Sequence, residues 1–303
     1  SSGGSILLSG VFAAMLTPLS AGLTVDTRAL CALAEFLLDH GINGFYLCGT
    51  TGEGLLLDEG ERHLVVETVV RQVRGRVPVV VHVGALSTAE CTGLAAHARE
   101  AGADAVAAIP PFYYAVGREG ILAHYQRISA AAGLPVYVYN IPSATQVSLG
   151  AVLVRELMDE GAVQGVKYTS YDQLGFREII ESCGPRLNVM AGPDEMLLPF
   201  LIMGAHGGIG TTYNLAPELF VSLYGAWKAG DLATAQELQY QIDRLILAIR
   251  DFGVVPAIKA AMSLRGIDCG QPRAPLMPLA GQERERLAEA LSRLGLPGIG
   301  GQA

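Results

Sequence analysis

Lys167 is the side chain in this sequence best placed to act as a nucleophile. It is one of three lysines and lies in the apolar, β-rich run Val163-Gln164-Gly165-Val166-Lys167-Tyr168. An ammonium there loses solvation, which favours the neutral amine, the form that attacks a ketone. Lys228 and Lys259 fall in helical stretches, from which a long charged side chain is expected to reach water. On position alone, an inward lysine paired with a carboxylate explains Lys167 equally well. Tyr139, in Tyr139-Asn140-Ile141-Pro142, ends the preceding apolar run. Adjacent parallel strands lie about 4.8 Å apart, so a phenol there reaches the carbon skeleton of anything bound to Lys167 and can shuttle its protons. Taken alone, the tyrosine is better read as a cap on the core.

Two Gly-rich stretches add polar groups. Gly49-Thr50-Thr51-Gly52-Glu53-Gly54 leaves backbone N–H groups uncovered beside two hydroxyls, an anion nest suited to a carboxylate. Most turns of this composition are only turns, and this one lacks the Gly-Lys-Ser/Thr ending of a nucleotide phosphate loop. Gly192-Pro193-Asp194-Glu195 precedes Gly207-Gly208-Ile209-Gly210-Thr211-Thr212. The adjacent acids either receive sugar hydroxyls or form the acidic first turn of a helix. The histidines are scattered without ligand-like spacing, so no metal is expected.

The elements that carry these groups repeat one pattern: a short apolar run, a turn, then a longer amphipathic stretch. The runs are 10–17, 44–48, 78–83, 105–109, 136–140, 163–168, 187–191 and 207–210. Helical candidates fall near 26–40, 58–74, 87–101, 118–132, 149–159, 172–183, 195–203 and 216–229. Asp26, Asp58 and Ser87 mark helix starts, Ser87 with Glu90 three positions on as a capping box. Gly41, Gly75, Gly102 and Gly133 mark helix ends.

Strict alternation predicts parallel strands with right-handed crossovers, and eight units in about 220 residues predict an α/β fold, a (β/α)8 TIM barrel. A doubly wound open sheet is weakened by the absence of a Gly-x-Gly-x-x-Gly turn after the first strand. The barrel is expected over 10–229. Residues 230–303 read as a helical C-terminal extension packed on it, with helices near 231–252, 254–264 and 282–294, and residues 1–9 as a disordered or vector-derived segment. In such a barrel the active site lies where strands end and βα loops begin.

Composition narrows the partners. Half of the 303 residues are hydrophobic and 17% are charged, which suits a large core. A net charge of -8 disfavours nucleic acid and anionic membranes. The apolar runs 128–154 and 196–217 are broken by Pro, Gly, Asn or Thr, as buried strands are and membrane spans are not. Five dispersed cysteines without a C-x-x-C pair, and a start lacking a basic leader, lead to the expectation of a cytoplasmic protein with neither disulfides nor zinc.

GTTGE after the second run, PPFYY after the fourth, YNIP after the fifth, GVKYTS on the sixth and GGIGTTYN on the eighth together resemble the dihydrodipicolinate synthase / N-acetylneuraminate lyase family. The similarity extends over roughly 10–280, with the motifs in family order. The family comprises class I, metal-free, pyruvate-handling aldolases on (β/α)8 barrels, usually tetramers. The resemblance implies that Lys167 is the Schiff-base lysine and Tyr139 the proton shuttle, with Thr50 in its relay. Thr51, Gly49 and the neighbouring backbone would hold the keto-acid carboxylate. Tyr113 matches a tyrosine that completes the relay, typically in a neighbouring subunit's site. No cofactor is implied.

Within the family, dihydrodipicolinate synthases usually carry an arginine two residues after the proline of YN-x-P, where this chain has Ala144. Sialic acid lyases look closer, through His82-Val83-Gly84, Ser87-Thr88-Ala89-Glu90 and Lys167-Tyr168-Thr169-Ser170. That subgroup implies a sugar-binding role for Thr169, Gly192, Asp194, Glu195 and Thr211, and Gly210 is a further substrate-binding candidate. Thr50 and Thr211 replace serines common there, and Pro193 replaces a frequent aromatic. The activity expected is cleavage of N-acetylneuraminate or a similar 2-keto-3-deoxy sugar acid to pyruvate and an aldehyde. Aldolases or dehydratases of other 2-keto-3-deoxy sugar acids come next, then 4-hydroxy-tetrahydrodipicolinate synthase. From another class comes a catalytically silent keto-acid-binding barrel.

Overall fold

Each of the eight apolar runs forms a strand in the computed structural model, which describes residues 8–299. The first half runs β1 (Gly10–Ala14), α1 (Thr27–Asp39), β2 (Gly44–Leu47), α2 (Glu59–Val73), β3 (Val79–His82), α3 (Thr88–Ala101), β4 (Ala105–Ala108) and α4 (Arg118–Ala132). There follow β5 (Val136–Asn140), the short α5 (Pro142–Thr145), α6 (Ala151–Asp159), β6 (Gly165–Tyr168), α7 (Gln173–Cys183), β7 (Asn188–Ala191), α8 (Leu197–Ile202) and β8 (Gly207–Gly210). Four more helices follow among the described residues: α9 (Pro217–Lys228), α10 (Leu232–Ile249), α11 (Val254–Ala261) and α12 (Gly281–Ser292).

The strands close into a barrel in the order β1 to β8, with β1 and β2, and β3 through β8, paired in parallel. Every strand residue is buried, which is why the strands read as continuous apolar runs rather than alternating ones. Inside, large side chains face missing ones. Phe12 pairs with Gly44, and Tyr137 with Gly165. A Cβ on Gly44 would stand 2.3 Å from the Phe12 ring, and one on Gly165 2.1 Å from the Tyr137 ring. The aromatic rings fill the space the glycines leave, as a packed barrel core requires.

Helix starts follow the sequence with one correction. Asp26 Oδ1 accepts from Ala29 N and Ser87 Oγ from Glu90 N, but the reciprocal capping box forms at Asp58 and Glu61, not at Ser87 and Glu90. The α5 turn, too short to show a helical period, has no counterpart in the sequence pattern. Of the N-terminal segment 1–9, residues 1–7 lie outside the described residues. Leu8 is buried, and its N–H and carbonyl are held by the Asn188 side chain at 2.8 and 3.0 Å, so the disorder expected there does not extend to it. No helix among the described residues is long and apolar enough to cross a membrane.

The chain divides into two compact units. One holds Pro78–Ile209 with the chain up to Gly10, and the other holds Val11–Val77 with the chain from Gly210 onward. The second unit therefore contains both the loop after β2 and the C-terminal helices.

Candidate active site

In the first unit, β5 and β6 carry the central pair. Their register sets Tyr139 opposite Lys167, flanked by Val138 opposite Val166. Lys167 is 4% exposed and Tyr139 3%. The lysine Nζ lies 3.9 Å from the centroid of the Tyr139 ring. At that distance a ring face attracts a cationic amine. The His82 ring meets Tyr139 edge-on at 5.7 Å and 90°. Ile109 N–H donates to His82 Nε2 at 3.4 Å, and a Cβ on Gly84 would stand 2.5 Å from that nitrogen. Gly84 thus makes room for the ring that flanks the tyrosine. The sequence shows His82-Val83-Gly84 only as a motif, without this role.

Beyond Lys167, β6 ends at Thr169, whose N–H donates to Asn140 O at 2.8 Å. A Cβ on Gly192 would lie 1.9 Å from Thr169 Oγ1, so only glycine admits that hydroxyl. The Oγ1 is buried and has no hydrogen-bond partner among the described residues. Asp194 is buried, while Glu195 Oε1 accepts from the Tyr171 hydroxyl. That carboxylate holds the Tyr171 phenol up to about 12, so it stays a donor across the neutral range. Asp194 and Glu195 open a 3-10 turn, Asp194–Met196, that leads into α8, so the acids also serve as a helix start. Tyr113, on the loop after β4, is 85% exposed, left-handed at φ 69°, and packs edge-on against Tyr114. Ala144 is exposed on α5 and brings no charge to the end of β5.

In the second unit, the loop after β2 winds tightly. Glu53 N–H donates to Thr50 O at 3.1 Å and Gly54 N–H to Gly49 O at 3.0 Å. A Cβ on Gly54 would lie 1.8 Å from Cys48 O, which excludes any other residue there. Thr51 is buried and its Oγ1 shares a hydrogen bond with Thr211 Oγ1 at 2.6 Å, just past Gly210 at the end of β8. Asn214, fully buried, donates to Thr211 O and Ala14 O and accepts from Leu16 N–H, stitching the ends of β1 and β8. Gly49 is buried and Thr50 exposed.

Lys259 departs from expectation. Its side chain is 0% exposed and its Nζ lies 2.5 Å from Glu53 Oε1, so it does not reach water. It sits in α11 among buried Pro256, Ala257, Ile258 and Ala261. Burial pushes its ammonium down from the usual lysine range, and the Glu53 carboxylate opposes that shift.

Residues 7–294 match the Dihydrodipicolinate synthetase family. An N-acetylneuraminate lyase of Rhizobium meliloti is 36% identical over 94% of this chain and 95% of its own length. A 4-hydroxy-tetrahydrodipicolinate synthase of Methanopyrus kandleri is also 36% identical, over 97% of this chain and 99% of its own. Among solved structures, a prophage protein of the dihydrodipicolinic acid synthase family from E. coli K12, in complex with pyruvate, superposes with a TM-score of 0.91. It is 28% identical and covers 96% of this chain and 100% of its own.

Proposed function

From the premise that this chain belongs to the dihydrodipicolinate synthetase family, and so is a pyruvate-dependent class I aldolase, we propose that it cleaves N-acetylneuraminate or a similar 2-keto-3-deoxy sugar acid. The observation that carries the reading is the pairing of Lys167 with Tyr139 across β5 and β6.

The Lys167 amine attacks the C2 ketone through its unprotonated form, and the resulting carbinolamine loses water to give an iminium. When the C3–C4 bond breaks, its electron pair flows into that iminium and leaves an enamine. Tyr139 takes the C4 hydroxyl proton as the aldehyde departs and returns a proton to C3. Water then releases pyruvate and frees the amine. Thr50 relays the proton. Thr51, Gly49 and the adjacent backbone N–H groups hold the carboxylate and supply orientation. Tyr113, exposed and held in a left-handed conformation, completes the relay of a neighbouring subunit in a homotetramer. Thr169, Gly192, Asp194, Glu195, Gly210 and Thr211 receive the hydroxylated tail. The chemistry needs no cofactor or metal.

One observation favours a second substrate. Tyr171 already occupies one oxygen of Glu195, which leaves fewer acceptors for a long polyol and suits a shorter 2-keto-3-deoxy acid. The exposed alanine at position 144 argues against 4-hydroxy-tetrahydrodipicolinate synthase, whose aldehyde carries a carboxylate. Turnover of sialic acid measured beside 2-keto-3-deoxygluconate, with a panel of aldehydes offered alongside pyruvate, separates these readings. Cleavage of neither acid, and no condensation with any aldehyde, overturns the proposal.

A further inference from the structure

We propose that Glu53 and Lys259 are positioning residues that hold the Thr50–Thr51 turn in its carboxylate-binding shape. This rests on the proposed role of that turn.

The turn does not hold its shape by local preference alone. Glu53 is a non-glycine residue at φ 57°, a left-handed conformation that a side chain disfavours. Its carboxylate is fully buried beside the Lys259 ammonium at 2.5 Å. The second oxygen, Oε2, accepts from Arg273 N–H at 2.6 Å, and Lys259 Nζ also donates to Gln271 O at 3.1 Å. Thr17, three residues past the end of β1, donates from Oγ1 to Gly52 O at 2.7 Å. Two residues before Glu53, Thr51 keeps its bond to Thr211. Helix α11 therefore clamps the turn through one buried charge pair, which residues 271–273 brace with hydrogen bonds. A buried pair is a poor source of net stability, because desolvation offsets most of the attraction. Fixed geometry at the neighbouring turn gives the pair a role that stability does not.

The test compares Glu53→Gln, Lys259→Met and the double variant E53Q/K259M with the wild type. The readout is borohydride trapping at Lys167 as a function of ketone concentration, with thermal unfolding measured in parallel. Each single variant leaves one charge buried alone and is expected to unfold earlier. The double variant leaves none, so its unfolding temperature should return toward wild type. In the double variant the pyruvate concentration for half-maximal trapping should still be raised about tenfold or more, with the maximal trapping rate little changed. Preference for pyruvate over methyl pyruvate, which lacks the carboxylate charge, should narrow. If half-saturation recovers together with unfolding temperature, the pair acts through stability alone and the inference falls while the proposed function stands. If wild-type Lys167 is not trapped at all, the proposed function falls first and carries this inference with it.

Discussion

Lys167 and Tyr139 are register partners on adjacent parallel strands, with the amine 3.9 Å from the centroid of the phenol ring. In the proposed mechanism one residue makes the covalent bond and the other moves protons, so their losses should look different. Tyr139→Phe keeps the ring that packs against Lys167 and His82 but removes the hydroxyl. Adduct formation with pyruvate should persist, while cleavage falls by about 10²- to 10⁴-fold, the usual range for a lost proton-transfer group. Trapped mass and aldehyde release, measured on the same sample, check this. Equal loss of both contradicts the division of labour.

Glu195 is shared between Tyr171 and the substrate tail in the proposed site. Tyr171→Phe frees its Oε1 without leaving a buried charge, because Tyr171 is exposed. The ratio of kcat/KM for N-acetylneuraminate over 2-keto-3-deoxygluconate should rise. An unchanged ratio would show that Glu195 does not select the tail.

His124 makes stability depend on acid. It is buried on α4, bonded through Nδ1 to Thr88 Oγ1 at 2.8 Å, and burial pushes it down to about 4. The unfolded chain takes up the proton near 6.5 and the folded chain only near 4, so the unfolded state binds more protons between those values. Stability from this group is fully present above pH 6.5 and is lost as pH falls toward 4, by about 3 kcal/mol at most. Denaturant unfolding of His124→Gln should show a flatter profile over pH 4–6.5, and an unchanged slope would rule out His124 as its source.

Tyr113 tests the assembly. If it serves a neighbouring site, hybrids of Lys167→Ala and Tyr113→Phe subunits contain some sites with both residues intact. Mixing two weakly active variants under conditions of subunit exchange should then restore activity. Additive residual activity in a mixture shown to exchange would mean that each chain supplies its own tyrosine.

Most of the scaffold is legible in the sequence because a strand buried on both faces is a continuous apolar run, and all eight runs are strands. Lys167 stands out because it interrupts such a run. Lys259 misleads for the opposite reason: α11 has only eight residues, too few turns for periodicity to tell its buried face from its exposed one. The burial of Glu53 is hidden in the same way, since a glutamate in a Gly-rich turn reads as solvated until the distant helix is placed over it. Thr51 and Thr211 stand 160 positions apart, and no local pattern announces their bond. The Asp58–Glu61 box competes with Ser87–Glu90 on equal sequence terms, and only the side-chain geometry separates them.

The most direct measurement is reduction with borohydride in the presence of pyruvate, followed by peptide mass mapping. One reduced pyruvyl adduct is expected on the peptide containing Lys167, and none in Lys167→Ala. A protein that binds pyruvate but gains no mass, or gains it on Lys228 or Lys259, would contradict the claim that this amine is the covalent handle.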